Sequence, residues 1–291
     1  MRSVITNVVL FVLTIISTIF VGGLGSSTSG ELTYSIISGL YYSISILSIL
    51  VAHEMGHYLT SRKYGVPSSL PYFIPFPLPP YGTMGAFIRT KGTIPHRKAL
   101  FDIGSCGPLF GLALAIPAVV VGLLLSEVVD VSKLPDQTTS LGNSPLLSLL
   151  QWICLGNLPP GTDVVLHPLA YAGWVGLFIT SLNLLPTGQL DGGHIIYALF
   201  GRRSKVIFRL TLLAITLICL IYNLGWLLLV IILLLIGYKH PPPLDDLTPL
   251  DWRRKVVGAL AFVIFFTAFT PIPFPGLSVG LKEVLSSWLK L

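Results

Sequence analysis

The sequence predicts an all-α polytopic membrane protein with about seven transmembrane helices, six to eight being compatible with its apolar stretches. Three observations carry that expectation. The 291-residue chain is 53% hydrophobic and only 10% charged, with a mean hydropathy of +0.82. A water-soluble domain carries about 25% charged residues to cover its surface. Several stretches approach the roughly 20 apolar residues with which a helix crosses a bilayer core, and the charges fall between them with a sign that changes from loop to loop. This composition excludes a soluble globular enzyme, a disordered chain and an extracellular disulfide scaffold. Cys106, Cys154 and Cys219 lie far apart, without the spacing of a disulfide framework or a thiolate metal site. The net charge of +6 arises from 18 Lys+Arg against 12 Asp+Glu. These basic residues occur as scattered pairs that do not interleave with aromatics, which fits loops facing the cytoplasm and not a nucleic-acid surface.

The first predicted span covers residues 4–21, after Met1-Arg2-Ser3. Its apolar run exceeds the 7–15 residues usual in a signal peptide and no A-x-A site follows, so it reads as a retained helix. The second runs over 34–59 and stops at Arg62-Lys63, the third covers 99–125 and the fourth 164–185. Residues 206–237 are long for one helix and short for two. Asn223-Leu224-Gly225 lies at their middle, where a turn is expected between two short helices. The last span covers 256–269 and is closed by Pro271, Pro273 and Pro275. The long connection at 126–163 carries an amphipathic run at 145–153, expected along the outer interface.

Loop charges set the orientation. Between the second and third spans stand Arg62, Lys63, Arg89, Lys91, Arg97 and Lys98, with no acid before Asp102. The next connection holds Glu127, Asp130, Asp136 and Asp163 against Lys133 alone. Arg202, Arg203 and Lys205 follow the fourth span, and Lys239, Arg253, Arg254 and Lys255 precede the last. The basic loops and the N-terminus are therefore expected in the cytoplasm, with the protein in the cell membrane.

Ionisable groups at hydrocarbon depth are costly, and by default they mark function. The second span contains His53-Glu54-Met55-Gly56-His57, an HExxH pattern. Two histidines four residues apart share one helix face, so both imidazoles reach a single Zn²⁺ at about 2.0–2.1 Å. Glu54 stands beside them as a general base for a water that the metal activates. A catalytic zinc wants a third protein ligand and an open position. Asp191, in Asn183-Leu184-Leu185-Pro186-Thr187-Gly188-Gln189-Leu190-Asp191-Gly192-Gly193-His194, is the best candidate, on the same cytoplasmic side. His53 precedes Arg62 by nine residues, which is roughly 13 Å of helix. Pro186 and the glycines are expected to unwind the end of the fourth span and turn the carboxylate toward the metal.

These paired motifs resemble the site-2 protease family of intramembrane zinc metalloproteases. The matching residues are His53-Glu54-Met55-Gly56-His57, then Asn183-Leu184-Leu185-Pro186 running into Leu190-Asp191-Gly192, with Gly107-Pro108 similar to the family's glycine-proline step. The resemblance covers about residues 40–200. It implies a three-helix catalytic core at about 34–200, accessory C-terminal helices at 206–291 in one integral-membrane peptidase domain, and one Zn²⁺ per chain. It also implies hydrolysis of transmembrane-helix protein substrates within the bilayer. No connection between core spans is long enough for the PDZ insert of many members. On the same resemblance His53, His57 and Asp191 bind zinc and Glu54 activates water. Asn183 has two readings, one binding the oxyanion of the tetrahedral intermediate and the other tying two helices together. His194 reads as an interfacial histidine or as a hydrogen-bond partner of a ligand, and His96, His167 and His240 as structural.

The apolar, proline-rich segment 70–91 is predicted to form a small membrane-associated strand or hairpin loop. Gly82–Ile88 within it has strand-like composition, suited to pairing with an extended substrate or to packing on the membrane. Two other function classes share some of these features. A metal-ion transporter needs ligands along a route and usually internal repeats, whereas the candidate ligands here cluster at one depth. A non-catalytic scaffold of the same fold would lack Glu54 or a ligand.

Overall fold

Three long helices account for the first three predicted spans: α1 (Arg2–Leu24), α2 (Leu32–Lys63) and α3 (Arg97–Leu124). They are seen in a computed structural model that describes residues 2–24, 32–134, 140–236, 241–277 and 280. Asp136, Lys239 and His240 lie outside the described residues. Between α2 and α3 runs a hairpin of β1 (Tyr72–Pro75) and β2 (Thr83–Phe87). After α3 come β3 (Glu127–Asp130), α4 (Pro145–Leu155) and β4 (Thr162–Val165), with β3 and β4 paired antiparallel. The amphipathic run expected at 145–153 is thus helical, and the flanking strand pair was not foreseen.

The predicted fourth span is α5 (Pro168–Asn183), which has 16 residues. It ends early because Pro186 has no N–H to donate and disfavours helical backbone at the residue before it. After an irregular segment come α6 (Asp191–Phe200), a 3₁₀ turn and α7 (Ser204–Ile221). Together these form a stretch, Asp191–Ile221, long and apolar enough to cross a membrane. That stretch begins well before the expected residue 206. The predicted break at Asn223 is present: the Asn223 side chain accepts from the Gly225 amide at 2.8 Å, and a 3₁₀ turn leads into α8 (Leu227–Ile236). The last predicted span is α9 (Trp252–Ala268), of 17 residues. Among the described residues four helices reach crossing length, namely α1, α2, α3 and the α6–α7 stretch.

Side-chain exposure fits a bilayer as solvent. On α1 the polar residues Asn7, Thr14, Ser17 and Thr18 are buried while Val4, Val8, Val12, Ile16 and Phe20 are exposed. That inversion would be unfavourable in water and is stable in lipid, where unsatisfied polar groups cost several kcal/mol.

The chain forms two compact units, Met1–Ile94 with Cys106–Lys133 and Leu149–Thr180, and Pro95–Ser105 with Leu134–Ser148 and Ser181–Leu291. In the first, α1 meets α2 through small residues. A Cβ at Gly39 would stand 2.3 Å from the Ile19 carbonyl oxygen, and Thr18 and Ser43 share a hydroxyl hydrogen bond of 2.7 Å. The hairpin pairs Tyr72 with Phe87 and Phe73 with Ala86, then shifts register before Pro75. Neutral donors hold its ends and turn. Asn7 Nδ2 donates to the Leu70 and Pro71 carbonyls, Ser17 Oγ to Gly82, Tyr42 Oη to Tyr81 and Tyr171 Oη to Pro80.

In the second unit charges do the equivalent work. Arg254 forks onto both carboxylate oxygens of Asp102 at 2.8 and 2.6 Å and also contacts Asp251. Arg97 pairs with Asp246 at 2.8 Å, and the Tyr197 hydroxyl donates to the same carboxylate at 3.1 Å. Gly258 on α9 lies against Ile195, Leu199 and Phe101, where any side chain would crowd α6.

Candidate metal centre

Helix α2 places His53 and His57 one turn apart in its C-terminal half, with Glu54 next to the first, at 3%, 7% and 4% exposure respectively. The helix continues without a break through Lys63, so the i, i+4 geometry of the two imidazoles follows from backbone periodicity alone. Their Nε2 atoms are 3.1 Å apart, one nitrogen facing the other. Two nitrogens bound to one tetrahedral zinc at about 2.05 Å stand about 3.3 Å apart. The pair is therefore close to the separation that a shared metal needs.

Asp191 comes from a different kind of backbone. α5 ends at Asn183, and residues 184–190 are irregular until α6 begins at Asp191. The loop folds back onto the first turn of α6. A Cβ at Gly192 would lie 2.0 Å from the Leu184 carbonyl oxygen, and one at Gly193 would lie 2.5 Å from that of Gly188. Only glycine permits these approaches. The unwinding expected at Pro186 is thus present, and its cause includes the two glycines after Asp191 as much as the proline before it.

His53 and His57 belong to the first unit and Asp191 to the second, and the three are the candidate ligands read from the sequence. The set is two imidazoles and a carboxylate, a donor combination suited to zinc. Asn183 is half-buried as the last residue of α5, and His194 is half-buried one turn into α6. His96 serves structure as expected: its Nδ1 accepts from the Ala99 amide at 3.0 Å and caps α3. His167 does likewise at the start of α5, where its Nδ1 accepts from Leu169 at 3.2 Å.

The hairpin beside α2 bears out the strand expected at 82–88, with β2 at Thr83–Phe87. Its sheet has two strands among the described residues, so β2 keeps one edge without a strand neighbour. At Gly85, with φ of 92°, a Cβ would meet nothing nearer than Ile179 at 4.0 Å. Sequence reasoning missed the tyrosine and serine hydroxyls that hold the hairpin turn. It also missed the glycines of α3 against the histidines, whose signal was Gly104, Gly107 and Gly111 at helical spacing.

A model described as peptidase family M50 matches residues 41–222. The probable chloroplastic zinc metalloprotease EGY1 of Oryza sativa subsp. japonica is 37% identical over 246 residues, covering 81% of this chain and 41% of that protein. Its namesake in Arabidopsis thaliana is 35% identical over 81% of this chain and 44% of its own length. The probable chloroplastic zinc metalloprotease EGY2 of Arabidopsis thaliana is 30% identical over 85% and 44%. The chain thus spans about two-fifths of the length of these relatives. No solved structure matches it.

Proposed function

The chain belongs to peptidase family M50, the site-2 protease type that its motifs resemble, and on that premise we propose that it is an intramembrane zinc metalloendopeptidase cutting transmembrane segments. The observation that carries the proposal is a buried Glu54 beside two histidines whose Nε2 atoms stand 3.1 Å apart, and the ligands we propose are His53, His57 and Asp191. Those three residues would hold one Zn²⁺. Zinc bound there would supply a Lewis acid that lowers the pKa of water and polarises the scissile carbonyl.

Each remaining role falls to a side chain of this protein. Glu54 accepts the proton of the attacking water and returns it to the leaving amine. Asn183 donates its amide to the developing oxyanion. The edge of β2 pairs with the substrate in extended form, its open Gly85 letting another backbone approach. A continuous helix hides its carbonyls in its own hydrogen bonds, so the substrate must open before attack. Opening exposes backbone groups that cost several kcal/mol each in lipid unless a partner strand accepts them. The loop charges support an orientation with the basic loops and N-terminus on the cytoplasmic side of the cell membrane. The sequence positions of the candidate ligands, all toward the cytoplasmic ends of their spans, favour hydrolysis over metal transport.

Detergent-purified protein assayed for zinc and for cleavage of a model transmembrane helix, beside Glu54→Gln, tests the proposal. The amide keeps the shape of the carboxylate but cannot take the proton, so zinc should remain and turnover should vanish. Turnover persisting in Glu54→Gln would remove this mechanism. Zinc uptake by proteoliposomes, unaffected by the substitution, would turn the assignment to transport.

A further inference from the structure

The glycine-proline step of α3 has a geometric role that the zinc ligands alone do not explain. Both histidines of α2 lie against α3 at glycine positions, and the two helices run past each other in opposite directions there. His57 meets Gly107, and His53 meets Gly111 one turn further on. A Cβ at Gly107 would stand 2.0 Å from His57 Nε2 and 2.4 Å from both adjoining ring carbons. At Gly111 the nearest atom would be His53 Nδ1 at 3.1 Å. Between the two histidines, a Cβ at Gly56 would meet backbone instead, 2.6 Å from the Cys106 carbonyl oxygen.

We propose that Gly107 is a positioning residue for the metal centre: its bare Cα is the seat on which the His57 imidazole rests with Nε2 turned toward His53. The inference rests on the zinc reading of the histidines, and it concerns the volume at position 107. The obstacle to a methyl there is the tip of a side chain. The easy relief is rotation of the His57 ring out of its seat, with α2 and α3 keeping their packing. At Gly56 the obstacle is main chain, and relief requires the helices to part. The same single-methyl change therefore has two distinct results on facing surfaces of α2 and α3. Gly107→Ala disables a ligand, while Gly56→Ala loosens the helix pair. Gly111→Ala, with a contact of 3.1 Å, needs only a small adjustment of His53 and has a weaker effect on the metal.

The experiment loads Co²⁺ in place of zinc into detergent-purified protein, measuring affinity and the visible absorption that reports coordination. Thermal unfolding is followed in parallel on metal-free protein. Gly107→Ala should lower cobalt affinity by roughly 100-fold, the upper range for losing a group that orients a ligand, and change the absorption band. Its unfolding midpoint should stay near that of the parent. Gly111→Ala should lower affinity by roughly tenfold or less. A double variant makes the test independent of folding. With His57→Ala already present the ring is gone, and adding Gly107→Ala should change neither cobalt affinity nor stability. If Gly107→Ala alone fails to fold and the double variant folds, the collision with the ring is confirmed. A Gly107→Ala protein with the parent's affinity and spectrum would overturn the inference while leaving the zinc reading intact. So would a double variant that is less stable than His57→Ala alone. A parent protein that binds no cobalt and no zinc would overturn both.

Discussion

The two histidines and the aspartate are held by opposite kinds of backbone. His53 and His57 sit inside the unbroken 32-residue α2, where helical periodicity sets their spacing and neighbouring helix surface sets their rotamers. Asp191 opens a helix after seven irregular residues, and its place depends on a loop folded tightly over Gly192 and Gly193. Each proposed ligand is therefore vulnerable in its own way. The helical pair is sensitive to what fills the space around the rings. The loop-borne carboxylate is sensitive to backbone conformation several residues away.

The largest effects should come from the ligands themselves. His53→Ala and His57→Ala should each bring zinc from about one ion per chain to near zero, because two donors rarely retain zinc. Asp191→Asn should do the same to a lesser degree, since the amide oxygen remains a weak donor. Metal analysis after dialysis measures both. Full zinc and activity in Asp191→Asn would break the comparison at its root and move the third ligand to His194.

Gly193→Ala separates the two kinds of support. A methyl there would sit 2.5 Å from the Gly188 carbonyl oxygen and 2.7 Å from that of Thr187. Both are main-chain atoms, so the loop must shift and carry Asp191 with it. Zinc affinity should fall roughly tenfold or more with helical circular dichroism unchanged. Undiminished affinity would mean that Asp191 does not depend on the fold of this loop.

The sequence made one half of the site legible and left the other half partly hidden, for physical reasons. HExxH needs nothing beyond the 3.6-residue period of a helix to imply a shared face. Asp191 was reachable because Pro186 and the glycines announce a break in a helix that apolar residues would otherwise continue. What no local pattern announces is contact between distant segments. Asp102 and Arg254 are 152 residues apart in sequence and share a bidentate pair. Tyr171 reaches Pro80 across 91 residues. Within the hairpin predicted at 70–91 only the arm at 82–88 had strand-like composition, and the bounds of β1 were hidden because Pro71 and Pro75 flank Tyr72-Phe73-Ile74.

The anchors away from the metal repeat the contrast in another form and give smaller effects. Asp102→Asn removes one charge from a pair whose side chains are 19% and 27% exposed. Partial exposure screens the loss, so the cost should be about 1–2 kcal/mol. Tyr171→Phe removes a neutral hydroxyl from the Pro80 carbonyl, at about 1 kcal/mol. Denaturant titration in mixed micelles, with probes in each unit, should show the first loss around α9 and the second around the hairpin. A reversal of those locations would undo the assignment of charged anchors to one unit and neutral anchors to the other.

The smallest effect is a pH dependence that only one of these two kinds of anchor can have. Asp245 is held below the ordinary carboxylate value of 3.8 mainly by the Thr248 hydroxyl, and also by the amides of Leu247 and Thr248. Asp251 is held below the same value mainly by the Arg254 amide, then by its guanidinium. A carboxylate whose folded-state pKa is depressed contributes stability that is fully present above its unfolded value. That contribution fades as pH falls through 3.8 toward the lower folded value. Residues 245–254 should therefore be constant from neutral pH to about pH 5 and loosen below pH 4. The hairpin turn at 80–82 is held by hydroxyl groups donating to carbonyls, none of which titrates in that range, and it should stay closed. Hydrogen exchange from pH 6 to pH 3, corrected for intrinsic rates, reads the two segments in one sample. Asp245→Asn and Asp251→Asn together should flatten the response of 245–254 and leave the hairpin as it was. Parallel loosening of both segments would show that acid acts on the whole fold, and the distinction between charged and neutral anchors would then have no consequence in solution.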